Sequence, residues 1–174
     1  MHLVLREERH MAEATKDLFR KVWGHFPTGV SVITFWEDDT HHMVHGITAN
    51  SVCSVSLEPF LVLVCVDHKS RSFPILSKGK RFVMNFLAKH QSDASRFFAK
   101  SDSKENPPFE FGVSLLGQPT LKGAYASMDC EIVAKHLAGD HTIFVGKVED
   151  IQDHGGEPLV FHRGKYVEVL PPRV

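Results

Sequence analysis

Residues 45 to 59, HGITANSVCSVSLEP, set Thr48, Asn50, Ser51, Ser54 and Ser56 on a stretch that alternates like a β-strand. Five small hydroxyl or amide groups in fifteen positions sit badly in a core, where each unpartnered polar group costs free energy. On a strand surface such groups have two uses. They face water, as exposed Ser and Thr commonly do, or they hydrogen-bond the edge of a flat polar ligand or a phosphate. The second use is a chemistry of binding and orientation, with no nucleophile and no general base.

Other chemistries find little foothold. No G-x-G-x-x-G follows a strand-like run, SKGKRF lacks the first glycine and the hydroxyl of a P-loop, and no G-x-S-x-G elbow occurs. Cys53, Cys65 and Cys130 are far apart without C-x-x-C spacing, which argues against a disulfide framework or zinc knuckle and fits a reducing cytoplasm. All three are expected to be buried packing residues. Among twelve histidines, His41, His42 and His45 cluster in HHMVH, but they flank a turn and lack the helical H-E-x-x-H arrangement. No metal site is expected there.

The elements that must position the polar strand follow from periodicity. Residues 9–25 place Met11, Ala14, Leu18, Val22 and Trp23 at helical spacing, ending near Gly24. GVSVITFW (29–36) reads as a strand, and EDDTHH (37–42) as a turn into one long polar-studded strand that breaks at Glu58–Pro59. LVLVCVD (61–67) is a continuous apolar strand, SRSFPILSKGK (70–80) a short helical turn and RFVMNFL (81–87) a strand. Ser92 is placed to cap a helix through DASRFFAK, with Asp93 favourable in its first turn. Residues 101–120 read as a loop with one short strand. Two long β runs follow, 125–152 split at the turn AGD, and PLVFHRGKYVEV (158–169). About seven strands, mostly consecutive, with two or three helices predict a mainly β fold, an antiparallel barrel with peripheral helices.

The totals agree. A chain of 174 residues is expected to be one domain, 1–174, with 43% apolar and 24% charged residues. A formal charge of -1 gives no nucleic-acid footprint. No run reaches the roughly 18 to 20 apolar residues of a membrane span, and the N-terminus does not read as a signal peptide.

FPTGVSVIT (26–34), HGITANSVCSVSLEPFLVLVCVD (45–67), Ser70, FPILSKGKRFVMNFL (73–87), HQSDASRFFA (90–99), GQPTLKGAYASMDCEIV (117–133) and GDHTIFVGKV (139–148) occur in this order. Together they resemble the flavin reductase family with the FMN-binding split-barrel fold, the small reductase components of two-component flavin-dependent monooxygenases. The resemblance runs from Phe19 to Tyr166, and T-A-N-S…S-V-S-L-x-P with G-D-H is its specific part. One departure is Phe60, where the family often has a second proline.

The resemblance implies an NAD(P)H-dependent flavin reductase, with FMN or FAD as flavin and NADH or NADPH as hydride donor. It implies a homodimer and a separate oxygenase partner. Carried over, Thr48, Ala49, Asn50 and Ser51 line the flavin, Ser54, Val55 and Ser56 present backbone amides, and Cys65, Val66 and Asp67 form a wall along it. Ser70, Arg71 and Ser72 meet the phosphate, while Pro27, Thr28 and Gly29 turn the chain close to the ring. His141, with Tyr166 closing over the same pocket, contacts the nicotinamide. No residue is implied as an essential acid or base. The alternatives are a flavin-binding electron carrier or sensor without a nicotinamide site, a ferric reductase of the same fold, and a haem binder using His42 or His45.

Overall fold

Val, Ile, Phe and Thr fill the alternating positions of the apolar runs, and those runs become strands because branched and aromatic side chains pack well on a pleated surface. The computed structural model describes residues 14–38, 40–100 and 107–170. Along the chain these form α1 (Lys16–Trp23), β1 (Thr28–Gly29), β2 (Ser31–Trp36), β3 (Val44–Ala49), β4 (Val52–Leu57) and β5 (Phe60–Asp67). Then come α2 (Ser72–Lys78), β6 (Arg81–Phe86), α3 (Ser92–Phe98), β7 (Phe111–Val113) and β8 (Pro119–Leu121). The last elements are β9 (Ala126–Ala138), β10 (His141–Asp153), β11 (Val160–His162) and β12 (Lys165–Val167).

Seven strands make one antiparallel sheet in the order β3-β2-β6-β9-β10-β5-β4. Its two outermost strands, β3 and β4, are consecutive in the chain and joined only by Asn50 and Ser51. Three peptide steps reach at most about 11 Å, whereas a flat sheet of this size would separate its edges by roughly 29 Å at the usual strand spacing. The sheet must therefore curl until its edges meet at Asn50–Ser51. That corner closes the split barrel.

The barrel interior holds Ile33, Phe35, Val62, Val64, Val66, Phe82, Met84, Cys130 and Phe144, capped by Leu76 of α2. A second cluster, Val30, Val32, Leu87, Ala94, Phe98, Leu121 and Leu159, lies between the sheet and α3. Adjacent residues of β2 thus serve opposite cores, and Ser31 to Phe35 are all buried. Asn85, fully buried, ties these layers: its amide donates to the Val32 carbonyl and the Thr34 hydroxyl, both at 2.9 Å, and accepts from the Leu121 N–H at 2.8 Å. The β9–β10 hairpin turns through Gly139 (φ +63°) and Asp140, and register shifts at Val145/Gly146 and Val148/Asp150 bend it over the barrel. Gly146 is required by close approach, since a Cβ there would lie 2.7 Å from the Phe82 ring.

Several expectations change. The long polar strand is two strands, β3 and β4, on opposite edges of the sheet, because the corner at Asn50–Ser51 interrupts it without breaking the polar alternation. The first helix begins at Lys16, where Thr15 accepts from the Leu18 N–H at 3.1 Å; Met11 lies outside the described residues. Ser92 opens α3 as its first helical residue, and Gln91 precedes it without a side-chain cap. The final run, 158–169, is a small hairpin paired with β1 in a separate three-stranded sheet. Cys53 is exposed and Cys65 half-buried; only Cys130 is fully enclosed. Cys53 points outward because β4 is an edge strand whose Val52 takes the inward position.

Candidate functional site

The closing corner gathers residues that lie far apart in sequence. Asn50 donates to the Thr28 hydroxyl at 3.2 Å, which fixes the T-A-N-S turn to β1. The Ser51 hydroxyl donates to the Cys65 carbonyl at 3.0 Å, and the Cys65 N–H returns a bond of 3.0 Å to the Ser51 carbonyl. Two residues further along β5, Asp67 stands opposite His141 in the β5–β10 ladder. Asn50 and Ser51 are exposed, while Cys65, Asp67 and His141 are half-buried. Hydroxyl, amide, carboxylate and imidazole groups therefore border one open edge of a rigid barrel.

Gly29 faces the same corner through its neighbour Thr28. A Cβ built on Gly29 would meet nothing within 4 Å, so the chain's own packing does not demand a glycine there. The open space suits close approach of a ligand to backbone. Pro27 is exposed beside it.

Next to this edge is a cavity of about 360 Å³ between β3, the start of α2 and the end of α3. Its walls carry Thr48, Asp67, Ser70, Arg71 and Ser72, all expected from sequence, together with Glu37, His45, Lys69 and Lys100. The Asp67 carboxylate accepts the Lys69 N–H at 2.8 Å, and the Ser70 hydroxyl accepts the Ser72 N–H at 3.2 Å, which shapes the turn into α2. Arg71 is partly buried and pairs with Glu37 at 3.2 Å. The other Glu37 oxygen is buried without a hydrogen-bond partner. Three cationic side chains and one imidazole against two carboxylates leave a net positive wall, the sign that suits a phosphate.

His141 sits at the start of β10 and bonds the Asp140 carboxylate through Nδ1 at 2.7 Å. That bond holds the Asp140 pKa below the usual carboxylate range. The hairpin tip is anchored by the His68 N–H, which donates to the Asp140 carbonyl at 3.0 Å.

The remaining expected residues have plainer surroundings. The Thr48 hydroxyl donates to the Ser95 carbonyl at 2.7 Å, tying β3 to α3, and Ala49 is buried in the barrel core. Val66 is likewise core. Ser54 and Val55 are exposed on edge strand β4, where a register shift lies between Ser54 and Ser56, and the Ser56 hydroxyl accepts the Glu58 N–H at 3.1 Å. Tyr166 packs on Phe161, lies under Arg96, and donates its hydroxyl to Ser95 at 2.8 Å. Sequence reading missed Glu37, Lys69 and Lys100 in the cavity wall. Their signal is weak, since each is a charged residue just past an element end.

Residues 23–170 match the family model described as the flavin reductase like domain. The chain belongs to this family of split-barrel proteins. An "NADH-dependent flavin reductase" of Rhodococcus sp is 37% identical over 88% of this chain and 86% of its own length. The "Flavin-dependent monooxygenase, reductase subunit HsaB" of Mycobacterium tuberculosis (strain ATCC 25618 / H37Rv) is 35% identical over 89% of this chain and 83% of its own. Among solved structures, "Flavin reductase PheA2 in native state" superposes with a TM-score of 0.83 at 38% identity, covering 91% of this chain and 100% of that one. The "Streptomyces globisporus C-1027 NADH:FAD oxidoreductase SgcE6 in complex with NAD and FAD fragments" gives 0.82 at 32% identity, with 92% and 98% coverage.

Proposed function

We propose that this chain is an NADH-dependent flavin reductase, one domain acting as a homodimer, that hands reduced flavin to a separate oxygenase. The observation that carries this reading is the convergence of Asn50, Ser51, Asp67 and His141 on one open barrel edge beside a net positive cavity. A flavin on that edge and a nicotinamide beside it supply the hydride acceptor and donor.

The residues orient the reactants. Asn50 and Ser51 offer an amide and a hydroxyl to the polar rim of the ring, and Gly29 lets it approach the backbone. Ser70, Arg71 and Ser72 hold the phosphate, with the cavity wall excluding water around it. His141, steadied by Asp140, holds the nicotinamide side. Hydride transfer needs the rings held at about 3 to 3.5 Å, and positioning of this kind supplies a large share of the rate. No side chain has to remove a proton, and the His141–Asp140 pair serves here to orient the imidazole.

The homodimer rests on a different observation. None of α1 is buried, and Phe19, Val22, Trp23 and Phe26 are each at least 60% exposed, with Phe19 and Trp23 stacked at 6.5 Å. Val55, Leu57 and Phe60 add an apolar edge on β4 and β5. A second copy of the chain covers such exposed apolar surface. Light scattering on the purified protein tests it, and a monomer at micromolar concentration would refute it.

The activity is tested on flavin-stripped protein by following NADH consumption with FMN, FAD or riboflavin added in turn. Turnover that saturates with free flavin is expected. Flavin uptake without NADH consumption would establish the carrier reading instead.

A further inference from the structure

His45 lies on β3 with its Nε2 3.0 Å from the Ser72 hydroxyl, and the hydride chemistry does not use it. Ser72 is buried, and its hydroxyl also reaches the Gly46 carbonyl at 3.5 Å. With the hydroxyl proton directed there, its oxygen accepts the Nε2–H of His45. The imidazole therefore belongs to the same hydrogen-bonded cluster as Ser70 and Ser72, and it forms part of the cavity wall.

Charged groups face this cavity from every neighbouring element. Asp67 ends β5, Lys69 and Arg71 come from the segment between β5 and α2, Glu37 follows β2, and Lys100 follows α3. Burial pushes the His45 pKa below its ordinary 6.5, the Arg71 charge pushes the same way, and Glu37 opposes both. Without a ligand the ring is therefore neutral at neutral pH. A phosphate dianion in the cavity reverses the balance, because a nearby opposite charge favours the imidazolium.

We propose that His45 reads the flavin phosphate, taking up a proton when a phosphorylated flavin enters the cavity and so linking flavin affinity to pH. This rests on the reading that the phosphate lies against Ser70–Ser72. Riboflavin, which lacks the phosphate, engages no such proton.

Calorimetric titration of the full chain at about pH 7.5, in two buffers of different ionisation enthalpy, counts the protons directly. At that pH the phosphate itself is almost wholly dianionic, its second pKa being about 6. The expected result is net proton uptake with FMN and none with riboflavin. The FMN Kd then rises with pH by up to about tenfold per unit, while the riboflavin Kd stays flat. His45→Gln should abolish the uptake and keep riboflavin affinity, and Glu37→Gln should retain the uptake. Wild-type binding of FMN without uptake overturns the proposal, as does uptake that survives His45→Gln or vanishes in Glu37→Gln. FMN bound no more tightly than riboflavin overturns it too, leaving the flavin site intact. If neither flavin binds, the proposed function itself fails.

Discussion

Asp67 and His141 are direct partners in the β5–β10 ladder, so the end of β5, proposed to wall the flavin, and the start of β10, proposed to meet the nicotinamide, are one structural unit. The register of two antiparallel strands brings them together, and the bond from the His68 N–H to the Asp140 carbonyl, 3.0 Å, pins the hairpin tip to the same place. The groups proposed to bind the two ligands thus share one hydrogen-bonded ladder.

His141 contributes little to holding the barrel together, because among the described residues its side chain hydrogen-bonds the exposed Asp140 carboxylate and no group of the core. His141→Ala should raise the KM for NADH about 3- to 10-fold, the worth of one net hydrogen bond. The flavin Kd should stay unchanged. A large loss of flavin affinity would place His141 on the flavin.

Gly29 separates binding from folding. A methyl group there meets nothing in the chain, so Gly29→Ala should leave the Tm unchanged or slightly raised. If a ligand fills that space, flavin affinity should fall clearly. Unchanged flavin titration in this variant would move the ring away from β1.

Gly146 makes the opposite case. Its missing Cβ leaves room for the Phe82 ring and Cys130, at 2.7 and 2.8 Å from the position a Cβ would take. Gly146→Ala should destabilise the fold by about 1 to 3 kcal/mol, the usual cost of overpacking. Chemical denaturation measures it, and an unchanged midpoint would show that the hairpin shifts freely.

Cys130 gives the fold an alkaline limit. Burial, with Asp129 adding to it, pushes its thiol from an ordinary 9.0 up to about 12. Between those values the unfolded chain loses the proton while the folded chain keeps it, so stability falls as pH rises through that window. Cys130→Ala should be less stable at neutral pH, from lost packing, but should show a shallower decline above about pH 9. Parallel alkaline denaturation curves would assign the effect to another group.

Much of this was legible in the sequence, for identifiable reasons. The apolar runs of β2, β5, β6 and β10 name themselves by composition, and the Gly139–Asp140 turn by its chemistry. The T-A-N-S stretch showed itself as polar groups on a strand. The corner within it did not, because period-2 alternation continues across Asn50–Ser51 while the backbone leaves one sheet edge for the other. That edge placement is also why Cys53 faces outward, which no local pattern records. His45 was visible as a histidine but not as a cavity residue, since its neighbour Ser72 arrives from α2. The start of α1 at Lys16 is not marked by apolar spacing, which persists N-terminal to its cap Thr15, and residues 9–13 of the expected helix lie outside the described residues.

The central claim is that NADH reduces a flavin held at the Asn50–Ser51 edge. Anaerobic stopped-flow mixing of flavin-loaded protein with NADH reads it most directly, through bleaching of the flavin absorbance. The wild type should bleach rapidly at a rate that saturates with NADH. The Asn50→Ala/Ser51→Ala double variant should bind flavin more weakly by roughly 1 to 3 kcal/mol, the cost of two lost hydrogen bonds. A wild type whose bound flavin is not bleached by NADH, or a double variant with unaltered flavin affinity, would contradict the account.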